Sequence, residues 1–83
     1  MALNWFYPPV PVSGERAGVC YQINNVERAA EELLKWTKRG RKWNRAVHVC
    51  MACMADEAAP QEVRRLFRLA AKEEGVLLPD RGD

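Results

Sequence analysis

The sequence lacks any long apolar run. Its longest uninterrupted apolar stretch, residues 49 to 55, is far shorter than the roughly 20 residues that a helix needs to cross a bilayer. The first residues, MALNWFYPPVPV, also lack the basic and apolar regions of a secretory signal. We therefore expect no membrane span and no export, and we place the protein in the cytoplasm.

The net charge is also small, and the sequence has few cysteines. Thirteen Lys and Arg against 11 Asp and Glu leave a formal charge of +2, too small to predict nucleic-acid or membrane binding by the molecule as a whole. The three cysteines are an odd number, and Cys50 and Cys53 fall in one apolar segment, so they do not form a disulfide framework. A reducing compartment fits this pattern.

Residues that could build a catalytic or metal site are few. On a helix, Cys50 stands about 200° around the axis from His48, so these two and Cys53 cannot meet at one metal ion. A thiol-redox pair normally begins a helix, whereas Cys50 and Cys53 lie inside one; we predict two buried small hydrophobes, with redox chemistry as the alternative. The sequence has no phosphate-binding glycine loop and no kinase or hydrolase motif. We predict a protein that is not an enzyme and holds no metal or cofactor.

The residue patterns predict one α+β domain over residues 1–83, an N-terminal β-hairpin followed by three helices (ββααα). Alternation at period two predicts the hairpin over residues 3–23, and its prolines confine the first strand to a sheet edge. A hairpin is marginally stable alone, so it must pack on the helices or gain a strand from a second copy of the chain. A homodimer is therefore our expectation.

Helical spacing of apolar residues predicts helices over residues 25–38, 42–57 and 60–74. Asn24 or Asn25 would cap the first, with Glu27 completing a capping box, and Pro60 would open the third. Gly75 would end the third helix as a left-handed cap. Beyond it, residues 77–78 form a short C-terminal strand or plug the core, and residues 79–83 form a frayed tail.

The second helix is predicted to be central, because it is apolar around most of its circumference. Only a narrow strip, Arg45, His48, Ala52 and Ala55, would face water. Met51 and Met54 are expected to fill gaps in the core. On the first helix, by contrast, the charged residues, Glu32 among them, are expected to form a solvated outer face.

Six basic residues cluster around the junction of the first two helices with no acidic residue among them: Lys35, Lys38, Arg39, Arg41, Lys42 and Arg45. Cations in the first turn of a helix oppose its macrodipole, so helix stability does not explain Lys42 and Arg45. With Trp36 and Trp43 interleaved, the segment could bind phosphates and stack on bases. Alternatively, the tryptophans pack the junction and the cations are merely solvated. The candidate binding residues are Lys38, Arg39, Arg41, Lys42, Trp43 and Arg45.

Several short motifs give the chain a family resemblance. They are a PVPV strand, a helix ending in Leu-Leu-x-Trp, a helix with spaced Ala and Cys, and a last helix with Arg and Phe before a Gly. From the hairpin to Gly75 the chain resembles the domain of unknown function 982 family, small uncharacterised proteins of alphaproteobacteria. The matching residues, which we expect to be structural, are Leu33, Leu34, Trp36, Ala46, Cys50, Arg64, Phe67, Ala70 and Gly75. The resemblance implies a fold and a bacterial lineage but no activity.

The sequence thus predicts a small, non-enzymatic, cytoplasmic protein that acts through protein contacts as a homodimer. Electrostatic nucleic-acid binding through residues 35–45 is the alternative.

Overall fold

The computed structural model describes residues 4–14, 16 and 18–78. It contains the strands β1 (Trp5–Ser13) and β2 (Cys20–Asn25) and the helices α1 (Val26–Leu33), α2 (Arg41–Met54) and α3 (Pro60–Glu74). The predicted α+β order, a hairpin followed by three helices, is confirmed. The predicted tail, residues 79–83, and the first residue of the predicted hairpin lie outside the described residues.

The hairpin presents one apolar face to the helices. β1 and β2 pair antiparallel, with Val10 opposite Ile23 and Val12 opposite Tyr21. Side chains alternate across a strand, so Val10 and Val12 share a face with Ile23, and all three are fully buried. Beyond α3 the chain returns to the other edge of β1, where Leu77 forms a single bridge with Val12. The predicted C-terminal strand is therefore reduced to one bridge.

The helix α1 begins where predicted but ends early. Asn25 is its cap, since the side-chain oxygen accepts a hydrogen bond from the Arg28 backbone N–H at 2.7 Å. Glu27 does not complete a capping box; its carboxylate accepts from the backbone N–H (3.0 Å) and the side-chain amide (2.8 Å) of Asn4. The helix ends at Leu33 and not at residue 38. The reason is tertiary, because Trp36 leaves the helical path to pack on Phe67.

The helix α3 has both predicted ends. Pro60 is its first residue, where a missing N–H costs nothing. Gly75 takes a left-handed conformation (φ 87°), and the N–H of Val76 donates to the carbonyl of Ala71 at 3.0 Å, as in a Schellman motif. Between these ends Phe67 is fully buried. α3 therefore supplies the centre of the core.

The helix α2 is not the central element, and that prediction was wrong. It packs against α1 and α3 but buries only Ala46, Cys50 and Cys53. Met51 is 62% exposed and Met54 is 45% exposed, so neither fills the core. The hairpin and α3 already close the core around Phe67, and this leaves one apolar side of α2 uncovered.

The expectation for Glu32 was also wrong. Glu32 is only 3% exposed. Its carboxylate lies 3.2 Å from the guanidinium of Arg28 and 3.7 Å from the ammonium of Lys35. The same two cations lie over the ring of Tyr21, at 5.0 Å and 5.6 Å from its centroid. Glu32 is thus enclosed where α1 packs on the hairpin, with its charge paired.

Candidate functional site

Both tryptophans of the basic segment belong to the helix junction. Trp36 is buried, and its ring stacks on Phe67 with centroids 5.3 Å apart. Trp43 is half-buried, and its indole N–H donates to the carbonyl of Leu33 at 2.7 Å. Because that carbonyl is at the end of α1, the bond fixes the first turn of α2 against α1. The ring of Trp36 is therefore not available for base stacking, and Arg39 covers one face of the Trp43 ring.

Arg39 is held by the same junction. Its guanidinium donates to the carbonyls of Trp36 (Nε, 3.1 Å) and Leu34 (3.0 Å) and lies 4.8 Å from the ring centroid of Trp43. Leu34 is the C-cap residue of α1 and Trp36 lies in the loop after it, so the helix itself supplies no partner for either carbonyl. Through two hydrogen bonds and a cation–π contact, Arg39 therefore joins the loop after α1 to the first turn of α2.

The other four candidate cations remain exposed: Lys38, Arg41, Lys42 and Arg45. Within residues 4–14, 16 and 18–78, no carboxylate pairs with any of these side chains. The loop that carries Lys38 is nevertheless anchored, since the carboxylate of Glu74 accepts from the backbone N–H groups of Thr37 (3.3 Å) and Lys38 (3.0 Å). The structure thus brings four free cations together on a fixed scaffold.

An apolar stripe runs along α2 beside these cations. Trp43, Val47, Met51 and Met54, here called the methionine stripe, follow one another at intervals of four, four and three residues and so lie on one side of the helix. Trp43 and Val47 are partly buried, while both methionines are exposed. Leu34, which is 65% exposed, directly follows Leu33, whose carbonyl accepts the hydrogen bond from Trp43. The sequence signal for this stripe is the excess width of the apolar face of α2, a pattern that by itself also predicts burial.

The two ends of α2 carry opposite charges. The first turn contains Arg41 and Lys42 and no acidic residue, and the last turn contains no basic residue. Asp56 and Glu57 follow directly and are exposed. Helix macrodipoles favour the reverse arrangement, with acids at the N-terminus and bases at the C-terminus. The charge order of α2 therefore has no explanation within its own helix.

The cysteines of α2 face the core, as predicted. Burial, followed by the neighbouring Cys53 and Glu27, raises the pKa of Cys50 to about 12. Burial also raises the pKa of Cys53, with Glu27 and Asp56 adding to the effect. His48 is exposed on another side of α2. In the described ranges, no three His, Cys, Asp or Glu side chains are grouped so that they could hold a metal ion.

A shallow groove of about 370 Å³ separates α2 from α3 on the side of His48. Its lining consists of Arg45, His48, Val49, Ala52, Glu62, Arg65 and Leu66. Arg65 and Glu62 pair with each other at 2.6 Å, which leaves Arg45 and His48 as the unpaired polar groups of the groove. These two lie on one helix and do not converge with a nucleophile.

The sequence model of the family described as "Protein of unknown function (DUF982)" matches residues 8–78. The chain belongs to the DUF982 family. The match covers all three helices, β2 and β1 from Pro8 onward. No curated protein and no solved structure was found to be similar to the chain. Among the helices of the described part, none combines the length and apolar character that crossing a membrane requires.

Most residues that match the DUF982 pattern occupy structural positions. Those buried are Leu33, Trp36, Ala46, Cys50, Phe67 and Ala70. Gly75 is the left-handed cap of α3, and Arg64 donates to the carbonyl of Pro8 at 2.6 Å, which joins α3 to β1. Leu34 differs from the rest because its side chain is exposed.

Proposed function

We propose that this DUF982 protein acts through contacts with protein chains, as a homodimer in the bacterial cytoplasm, and that it catalyses no reaction. The observation that supports the proposal is the methionine stripe, which leaves Met51 and Met54 exposed on a packed helix. Contiguous exposed apolar surface on a small protein commonly marks an interaction site. Methionine suits such a site because its flexible side chain adapts to the opposing surface.

The chemistry around α2 supports a non-catalytic role. The two thiols of α2, Cys50 and Cys53, are buried, and the pKa of each is raised, so they stay protonated at neutral pH. The cations that could bind an anionic substrate lie on the outer surface, away from these thiols. Nucleophile and anion-binding groups are thus held on different sides of the helix.

Sedimentation velocity over a wide range of protein concentrations tests the proposal. We expect a reversible monomer–dimer equilibrium that Met51→Lys shifts to monomer, because a buried lysine at the interface would lose its hydration. Gln22→Lys is the matched control, since it places the same charge at an exposed position of β2, on the face of the hairpin opposite to Ile23, and it should leave the dimer intact. A wild-type protein that stays monomeric at every concentration would contradict the homodimer.

A second candidate function is electrostatic binding of nucleic acid. It is supported by four exposed cations, Lys38, Arg41, Lys42 and Arg45. Base stacking is not favoured, because both tryptophans pack in the helix junction. If all four meet phosphates, log affinity should fall with log salt concentration at a slope of about 3 to 4.

Arg41→Ala combined with Lys42→Ala should reduce this slope by about 2, counting one released counterion for each phosphate contact. The control is Arg68→Ala combined with Lys72→Ala on α3, which removes the same charge elsewhere. Absence of binding to duplex and single-stranded probes at low salt would exclude this candidate.

A further inference from the structure

We infer that the occupant of the methionine stripe is the same stripe of a second copy, with the two α2 helices antiparallel and Met51 beside the two-fold axis. The inference rests on the proposed homodimer and adds the interface and its orientation. Its basis is the combination of three features of α2: the exposed apolar stripe, the basic N-terminal end and the acidic residues after the C-terminal end.

The charge order of α2 costs stability in the isolated chain. Each charge placed against the macrodipole at an exposed helix end destabilises the helix. Arg41 and Lys42 stand at the positive end of the dipole, and Asp56 and Glu57 at the negative end. No described carboxylate pairs with the cations, so the unfavourable placement is not offset within the chain.

An antiparallel second copy reverses the sign of these interactions. Each basic end then lies beside the acidic end of the partner's helix and beside the negative pole of its dipole. A two-fold axis produces this contact twice, because the same surface is used by both copies. A parallel arrangement would instead place like charges together at both ends. The charge pattern of α2 is therefore complementary to itself only in the antiparallel orientation.

The spacing of the stripe fits the same axis. Val47 lies four residues before Met51, and Met54 lies three residues after it. A helix rises 1.5 Å per residue, so the two-fold operation about Met51 brings Val47 to the level of the partner's Met54. Arg45 lies about 9 Å before Met51 along the axis, whereas Asp56 and Glu57 follow the end of the helix on the other side of Met51, so the two-fold operation brings each basic end towards the partner's acidic end. Apolar side chains thus oppose each other in the centre, and opposite charges oppose each other at both ends.

Charge reversal tests the orientation. One variant, Arg41→Glu with Lys42→Glu, reverses the basic end; a second, Asp56→Asn with Glu57→Lys, reverses the acidic end; a third combines all four changes. Asparagine is chosen at position 56 because that residue has φ 64°, which asparagine tolerates well. We expect each end variant to weaken dimerisation by about tenfold at low salt, and the combined variant to recover most of the loss.

Folding is controlled separately. Arg41→Glu with Lys42→Glu places acids at a helix N-terminus, so the helical signal and thermal stability of the monomer should be kept or raised. A loss of dimer in this variant therefore does not come from unfolding.

Cysteine cross-linking gives an independent measure of the orientation in a Cys20→Ser background, which removes the exposed native thiol. We expect a mixture of the Val47→Cys and Met54→Cys proteins to form disulfide-linked dimers under mild oxidation, and either protein alone to form few. Efficient linking of each protein with itself, or a dimer whose affinity none of the charge variants changes, would overturn the antiparallel inference and leave the homodimer standing. A strictly monomeric wild type would instead contradict the homodimer itself.

Discussion

The indole of Trp36 stacks on the ring of Phe67, with an interplanar angle of 28°. This contact joins the loop after α1 to the middle of α3. It also turns the chain out of α1, so that residues 34–40 can cross to α2 and carry the basic residues with them. The position of the candidate binding surface therefore depends on an aromatic pair in the core.

Truncation of the inner member of this pair should destabilise the protein strongly. Phe67 is fully buried, and we expect Phe67→Ala to lower the free energy of unfolding by about 3 to 5 kcal/mol, because it removes apolar contacts and leaves a cavity. Chemical denaturation of dilute protein measures this loss. Leu34→Ala is the control, since that side chain is mostly exposed and should change stability by less than about 0.5 kcal/mol. Equal losses in the two variants would contradict a core centred on Phe67.

The hydrogen bond from Trp43 to Leu33 gives a second prediction. Trp43→Phe keeps an aromatic ring near Arg39 but removes the indole N–H donor. We expect a loss of about 1 kcal/mol in the free energy of unfolding, the usual net value of one hydrogen bond. Trp5→Phe makes the same chemical change at an exposed residue and should have little effect on stability. If Trp43→Phe unfolds no more easily than Trp5→Phe, the junction does not depend on this bond.

Local chemistry made some elements predictable from sequence. Pro60 and Gly75 fix the ends of α3 through their own backbone properties, and Asn25 caps α1 through a side chain only three residues from its donor. The end of α1 was not predictable in this way. It depends on Phe67, which lies 31 residues beyond Trp36 and competes with continuation of the helix.

The candidate site shows the same limit. Six cations look alike in the sequence. In the structure, however, the guanidinium of Arg39 donates to two backbone carbonyls, whereas Lys42 and Arg45 stay exposed. The apolar width of α2 was equally ambiguous, because a helix buried between neighbours and a helix with one side open to a partner have the same pattern. Only the packing of α3 and the hairpin shows that the core closes without Met51.

The hydrogen bonds between Asn4 and Glu27 should make stability depend on pH in the acid range. Burial alone would raise the pKa of Glu27, but hydrogen bonds from the backbone and side chain of Asn4 and from its own backbone N–H outweigh burial and lower that pKa. A lowered pKa in the folded state stabilises the protein above the ordinary value of 4.5, and this contribution is lost as the pH falls through the folded value.

Asn4→Ala should therefore lower the free energy of unfolding more at neutral pH than in acid. Urea denaturation at several pH values measures the difference. Gln22→Ala, which removes an exposed amide side chain from β2, should shift stability equally at all pH values. If Asn4→Ala lowers the free energy of unfolding by the same amount at every pH, the hydrogen bonds between Asn4 and Glu27 do not couple stability to the protonation of Glu27.

The three cysteines should differ sharply in reactivity. Alkylation requires the thiolate, and burial raises the pKa of Cys50 to about 12 while also shielding its sulfur. We expect iodoacetamide to modify exposed Cys20 rapidly in the folded protein, and Cys50 and Cys53 only as fast as the chain unfolds. Mass spectrometry of peptides from protein labelled with and without urea measures the three rates. Fast native labelling of Cys50 or Cys53 would contradict their burial and support redox chemistry.

The same burial predicts a loss of stability in alkali. Below pH 9.0, the ordinary thiol value, Cys50 is protonated in both the folded and the unfolded chain and has no effect on the pH dependence. Between that value and about 12, the unfolded chain releases the proton while the folded chain retains it, so the free energy of unfolding falls as the pH rises. Cys50→Ala should be less stable at neutral pH, because it loses buried contacts, but its stability should fall less steeply in alkali. If the two proteins lose stability in parallel above pH 9.0, the thiol of Cys50 is not held protonated by the fold.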